Sequence, residues 1–168
     1  FGKLYNHALT GDTDCGGLLS YNYISGEHIT GLEEGRPMFV RSANDKFNLA
    51  NFMRAHLHAA VGVLKIGNDV LFNEEKIKVD RITGHGGLFK TKGVGQRILA
   101  AAINSPISVM ETAGEGGAWG IALLASYLIN NKKGQPLADF LEEVVFAGDA
   151  GEEIAPIAED VAGFNTYI

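Results

Sequence analysis

The sequence predicts an α/β domain built on a parallel sheet, and three observations carry that expectation. Between Ile77 and Asn130 the apolar pattern runs strand, helix, strand, helix with short connections, an order that calls for a right-handed βαβ crossover and so for a parallel strand pair. A glycine-rich segment, Gly84-His85-Gly86-Gly87, sits at the first strand-to-helix junction. The 168 residues, 46% hydrophobic and 20% charged, suffice for one domain that buries roughly 70% of the surface its unfolded chain exposes.

Taken in order, FGKLYNHALTGD is a short helical pattern with Phe1, Leu4, Tyr5 and Leu9 on one side and Gly11 as its stop. Gly16–Ile24 and Met38–Ser42 read as extended segments separated by a polar, glycine-bearing stretch. A long helix is predicted from Asn44 or Asp45, both good N-caps, with Phe47, Ala50, Met53, Leu57, Val61 and Leu64 as its buried stripe. Ile77–Thr83 reads as a strand, Gly93–Ser105 as a helix with Val94, Ile98 and Ala102 inward, and Pro106–Thr112 as a second strand. Gly114–Asn130 is apolar around most of its circumference and rich in small residues, which predicts a buried, closely packed helix. After Lys133 two terminal helices with acidic outer faces are expected, one started by Pro136 and one using Ile154, Ile157, Ala158 and Val161.

Composition excludes several classes. A net charge of −6 and no Lys/Arg cluster speak against a nucleic-acid partner. No run of ~18 apolar residues offers a membrane span, and Cys15 stands alone, which points to a reducing, cytoplasmic setting. The 22 glycines suit either a nucleotide pocket or plain tight turns. The chain starts at Phe1 in mid-pattern, and the expectation is a piece of something longer.

The glycine loop follows a strand and precedes a helix, where parallel α/β folds bind ligands. Its backbone amides can approach an anion or a ribose, and a helix N-terminus adds partial positive charge. Neither known fingerprint fits: Phe89 precedes Lys90-Thr91 where a Walker loop needs glycine, and Phe89 also replaces the last glycine of the dinucleotide pattern. Spacing alone leaves a ligand role and a merely tight turn equally open. His56 and His58, two apart on a helix, point about 200° from one another and cannot share an ion. His85 is expected to bond a backbone carbonyl, Glu111 and Glu115 to complement a helix dipole, Trp119 to be core, and Asp12 with Asp14 to be turn residues rather than a calcium site.

Several segments together resemble the C-terminal domain of the FGGY carbohydrate kinases. Tyr23-Ile24-Ser25-Gly26-Glu27-His28 is similar to the family's Pro-Tyr-Leu-x-Gly-Glu-Arg, with Asn22 and His28 replacing the proline and arginine. Arg54-Ala55 with Leu57 resembles Arg-Ala-x-Leu-Glu-Gly, although His58 and Ala59 depart from it. Arg81 to Gly87 matches the family's glycine loop, Gln96 with Ala100-Ala101 and Ser105-Pro106-Ile107 the segment that follows, and Gly117 to Ala125 the alanine-rich helix. The matches run in the family's order from about Gly17 to about Leu128. The resemblance, most marked to xylulokinases and ribulokinases, implies an incomplete portion of an actin-like, ribonuclease H-like ATPase fold. It divides the chain into residues 1–134, part of the ATP-binding domain, and residues 135–168, a helical extension packed on it. It implies ATP as ligand, with Gly84, Gly86, Gly87, Lys90 and Thr91 as the nucleotide-binding residues. It implies Mg2+ held by the phosphates and by sequence outside this segment. A ketopentose would be held by a missing N-terminal domain that also supplies the catalytic base, so that the segment is expected to be inactive alone. Homodimer formation stays open. The residues by themselves also leave open a Rossmann-like dinucleotide-binding module and a structural domain without ligand.

Overall fold

In the computed structural model, which describes residues 1–79, 81–147 and 151–168, the chain opens with α1 (Gly2–Ala8). Its inner side is Ala8 with half-buried Tyr5 and Leu9; Phe1 and Leu4, expected on the same stripe, are exposed. A tight turn over Cys15–Gly17 follows, fixed by the Asp14 carboxylate accepting from Gly16 N at 2.9 Å. Gly16 and Gly17 take φ of 61° and 87° there, a region that glycine enters without penalty. This turn shortens the extended run expected from Gly16 to the strand β1 (Leu19–Tyr21), which pairs antiparallel with β2 (Met38–Val40) in register Ser20↔Phe39.

Helix α2 (Leu49–Asp69) starts later than expected. Asn48 is the cap, its side chain accepting from Asn51 N at 2.9 Å, while the Asp45 carboxylate accepts from Ser42 N instead. Ala50, Leu57 and Val61 form its buried stripe, but Phe47 and Leu64 are exposed.

The central unit is β3 (Ile82–Thr83), α3 (Val94–Ile103) and β4 (Ile107–Val109), with β3 parallel to β4 in register Ile82↔Ile107. The βαβ crossover is therefore present. The strand expected over Ile77–Thr83 is reduced to its last two residues. Ahead of Ile82 the neighbouring segment offers Pro106, without an N–H, and Asn104 with φ 48°, so Ile77 to Val79 pair with no strand among the described residues, and Ile77 N donates to Leu71 O instead. Asp80 lies outside the described residues. Val94, Ile98 and Ala102 of α3 are buried as expected, in a cluster with Ala8, Leu57, Val61, Ile107 and Phe164. Gln96 ties the helix to the sheet, its Nε2 donating to Ile107 O at 3.1 Å and Glu152 O at 2.7 Å.

Helix α4 (Gly116–Asn130) departs most from expectation, since none of its residues is buried. Ile121, Leu128 and Ile129 face solvent, and beside Gly117 and Gly120 there is open space where close packing was expected. Trp119 is half-buried rather than core. Among the described residues no layer covers the helix: α3 lies on the strands, and α4 meets its own approach turn, His85 beside Gly116, and through Tyr127 the carbonyl of Gln135 and the ring of Phe140, 5.4 Å away.

The tail has the two expected helical segments, one started by Pro136, with a strand between them that was not expected. It comprises the single turn α5 (Leu137–Phe140), which widens over Leu141–Val145, then the strand β5 (Glu152–Ile154), antiparallel to β4, and α6 (Ala158–Tyr167). The inward residues of α6 are Asp160, Gly163, Phe164 and Tyr167, not the stripe through Ile157 and Val161. Gly163 explains the orientation, because a Cβ there would lie 2.4 Å from Thr13.

Candidate functional site

The glycine loop leaves the carboxyl end of β3 and continues the parallel ladder one step, with Gly84 N donating to Ser108 O at 2.8 Å. Gly86 has φ 105°, which only glycine adopts without strain. Its N–H donates to Ala113 O at 2.7 Å. That bond joins the loop to the turn Glu111–Glu115 between β4 and α4. The two connections are in close contact elsewhere as well: a Cβ on Gly114 would meet Lys90 Cγ at 3.0 Å, and one on Gly116 would meet His85 Cβ at 3.0 Å.

Between these connections lies a cleft of about 780 Å³, lined among others by Phe89, Lys90, Val109, Met110, Thr112 and Glu115. Two ion pairs line it: Lys90 Nζ to Glu115 Oε1 at 2.7 Å, and Lys92 Nζ to Glu152 Oε2 at 2.8 Å. The hydrogen bond from Lys90 and its charge hold the Glu115 carboxyl below its ordinary value, and the bond to Glu152 raises Lys92. Another cleft, of about 490 Å³ with Lys65, Ile82, Asn104 and Ser105 in its walls, lies at the entering end of β4. Ligands of parallel α/β sheets sit outside the carboxyl ends of the strands, so the cleft beside the glycine loop is the candidate site.

Of the five sequence-expected residues, Lys90 lines this cleft, and Gly84, Gly86, Gly87 and Thr91 do not. Lys90 lines the cleft and is paired with Glu115 rather than free in solvent. Gly86 and Gly87 have open space where a side chain would stand. Gly84 is covered, since a Cβ there would lie 2.4 Å from the Phe89 ring. It borders instead a cleft of about 480 Å³ with Arg81, His85 and Leu99. Thr91 is half-buried and its carbonyl accepts from Val94 N at 3.3 Å. His85 is exposed and makes no hydrogen bond to a carbonyl among the described residues. Glu115 is the N-cap residue of α4, at the helix end where a carboxylate complements the dipole, but its side chain makes no capping hydrogen bond and pairs with Lys90. Sequence reasoning missed Thr112 altogether. Its Oγ1 is shielded from water and has no hydrogen-bond partner among the described residues, and no pattern in a sequence announces an unpartnered hydroxyl.

The other candidates are structural. His56 Nδ1 meets Ser20 Oγ at 3.0 Å, and His58 lies in the core, with Nδ1 3.4 Å from Cys15 Sγ. Burial pushes the Cys15 thiol up to about 12, so it is no nucleophile near neutrality. Asp12 accepts from Asn51 Nδ2 at 2.9 Å and Lys46 Nζ at 3.0 Å, and Asp14 from Gly16 N. Among the described residues no three His, Cys, Asp or Glu side chains gather as a metal site.

Residues 4–129 match the model of the FGGY family of carbohydrate kinases, C-terminal domain. No curated protein matches the chain in sequence. Among solved structures, a ligand-bound xylulose kinase from Lactobacillus acidophilus superposes with a TM-score of 0.72 at 20% identity, covering 98% of this chain and 32% of its own. A gluconate kinase from the same organism gives 0.68 at 19% identity with the same coverage. Plasmodium falciparum glycerol kinase with ADP gives 0.67 at 16%, again over 98% and 32%. The chain thus spans about a third of the length of these structures. The likeness establishes the fold: the parallel strand pair with its helices is that of the C-terminal domains of these kinases, within the actin-like ATPase fold.

Proposed function

The chain belongs to the FGGY family of carbohydrate kinases, and from that premise we propose that it forms the nucleotide-binding wall of an ATP-dependent, cytoplasmic sugar kinase acting on a ketopentose. The observation that carries the reading is the cleft at the carboxyl end of the parallel pair, beside the bond from Gly86 N to Ala113 O that ties its two bordering connections together. Its volume suits a nucleoside. In this reading Lys90 lines the ligand's cleft, Gly86 and Gly87 leave open space through which a ligand extending from the cleft can approach the main chain, Thr91 follows Lys90 in the chain, and Gly84 supports the loop through its contact with Phe89.

ATP supplies the γ-phosphoryl group, passed in line to a terminal sugar hydroxyl, a reaction that depends on positioning and charge stabilisation. This chain contributes positioning alone. Neither a base for the sugar hydroxyl nor a carboxylate cluster for Mg2+ is assigned to it, and the cation travels with the phosphates and with groups of an N-terminal domain. A ketopentose is favoured because xylulose kinases recur among the structures of like fold.

Calorimetric titration of the chain with ATP, ADP and NAD tests the nucleotide reading. Saturable binding of the adenine nucleotides that Gly86→Val abolishes is expected, since a side chain at φ 105° strains the loop. Binding of NAD alone would favour a dinucleotide module instead. The sugar is tested in an enzyme that carries this sequence behind an N-terminal kinase domain: xylulose or ribulose is expected to exceed gluconate and glycerol in kcat/KM.

A further inference from the structure

We propose that the cleft at the entering end of β4 is a second ligand site, separate from the nucleotide cleft, and that it takes a small neutral polyhydroxylated molecule, a free sugar or a sugar alcohol.

The cleft has a volume of about 490 Å³, the size of a small-molecule site, and it shares no lining residue with the cleft beside the glycine loop. Three elements meet there. The turn Val70–Glu74 that follows α2 brings Phe72 and Asn73, the end of α3 brings Ile103 with Asn104 and Ser105, and α6 brings Asn165. Asn73, Asn104 and Asn165 are exposed and Ser105 is half-buried, so a bound molecule can reach all four. None of these side chains has a hydrogen-bond partner among the described residues. The cap asparagines Asn48 and Asn131, by contrast, bond the main chain, the first accepting from Asn51 N and the second donating to Tyr127 O.

The surroundings specify the chemistry. Carboxamides and a hydroxyl both donate and accept, which matches the hydroxyls of a polyol, themselves donors and acceptors. Half-buried Phe72 and Ile103 offer an apolar wall to its carbon skeleton. Charge is already matched within the lining: Lys65 Nζ bonds both carboxylate oxygens of Asp69, at 2.8 and 2.7 Å. Neither residue is left over for a charged ligand. The carboxyl end of α3 adds partial negative charge, which disfavours a phosphate. An uncharged molecule rich in hydroxyls fits this set, and an anion or an amino acid does not.

NMR titration of the 168-residue chain tests the assignment, because the side-chain NH2 groups of Asn73, Asn104 and Asn165 report on it directly. Xylitol and D-ribose are the probes, an open chain and a ring, with inorganic phosphate and L-alanine as charged comparators. Saturable shifts of the three carboxamides are expected with either polyol at a Kd on the order of 1 mM, the tighter probe telling chain from ring, and none with phosphate or alanine. Two substitutions follow. Asn104 sits at φ 48°, a region open to glycine, so Asn104→Gly removes the carboxamide and keeps the turn. Asn165→Ala removes another from an exposed helix position. Each is expected to weaken polyol binding about fivefold, the loss of one hydrogen bond, while the thermal midpoint of the chain without ligand holds or rises. Absence of any saturable shift at about ten times that concentration overturns the site. Binding that both variants retain in full also overturns it, by placing the polyol elsewhere, and a preference for phosphate or alanine overturns the ligand class.

Discussion

An arginine side chain offers donors only, and that fixes the protonation of His58. Arg54 Nε lies 3.4 Å from His58 Nε2, so Nε2 must accept and the ring proton sits on Nδ1, facing the Cys15 sulfur. A second proton would place an N–H against a guanidinium inside the core. Burial, with the Arg54 charge next, accordingly lowers His58 to about 3, against the opposing pull of Asp160. The consequence for stability has a definite sign. The unfolded chain takes up a proton below the ordinary value near 6.5 and the folded chain does not, so stability is full above pH 6.5 and falls by about 1.4 kcal/mol per pH unit below it. Burial lowers His56 too, which steepens the fall. Asp160 does not contribute there. Burial raises its carboxyl, but hydrogen bonds from Arg97 and Arg54 outweigh this and hold it below the ordinary value of 3.8, so its share is lost only at still lower pH. Urea midpoints measured from pH 7 to pH 4 are expected to drop steadily, and His58→Phe is expected to flatten that slope while lowering the midpoint at pH 7. A slope unchanged in the variant would show that His58 does not stay neutral in the fold.

At the scale of elements, the exposed apolar face of α4 sets an expectation of its own. Ile121, Leu128 and Ile129 are 69%, 78% and 83% exposed, more apolar surface than a helix normally shows to water. The chain is expected to bind a hydrophobic dye, and Leu128→Glu with Ile129→Lys is expected to abolish that binding at a cost below about 0.5 kcal/mol. A large loss of stability on the same substitutions would mean that the face is packed in solution. The contrast between α3 and α4 shows which elements were legible. Both were evident as helices, since periodicity and punctuation are local properties. The inward residues Val94, Ile98 and Ala102 of α3 were legible as well, because they recur at helical spacing, although burial extends to eight of its ten residues. Burial of α4 was not, because an all-apolar helix says only that something should cover it, and what covers it is a matter of neighbours. The extent of β3 failed for the related reason that a strand is as long as its partner allows. The candidate site divides the same way: Gly86 was legible because a backbone at φ 105° is one that only glycine adopts without strain. Thr112 and the pairing of Lys90 with Glu115, 25 residues apart, arise from two loops meeting in space.

For the molecule as a whole, the last helix closes the fold through contacts that no local pattern encodes. Arg54 and Asp160, 106 residues apart and each 1% exposed, bond at 2.6 Å, and Arg97 pairs with the same carboxylate. An acidic residue on a terminal helix reads as solvated, so the sequence pointed Asp160 outward, whereas two guanidiniums make its burial tolerable. Seven residues on, the Tyr167 hydroxyl accepts from Ser20 N at 3.2 Å and has the carbonyls of Ser20 and Ala55 at 3.0 and 3.1 Å. Helix α6 is thus pinned at one end to α2 and α3 and at the other to β1. Asp160→Asn is expected to cost about 3–5 kcal/mol, since it leaves Arg54 charged and buried without its counter-ion. Tyr167→Phe is expected to cost about 1–3 kcal/mol by stranding Ser20 N. If α6 docks as one rigid unit, the first loss already loosens what the second would hold, and the double variant costs less than the sum. Urea unfolding of the four proteins, with amide exchange along α6, measures this. Strict additivity with α6 protected throughout would mean that the two ends are held independently. Sub-additivity with early exchange confined to α6 would make this helix the unit whose release opens the core built on α2 and α3.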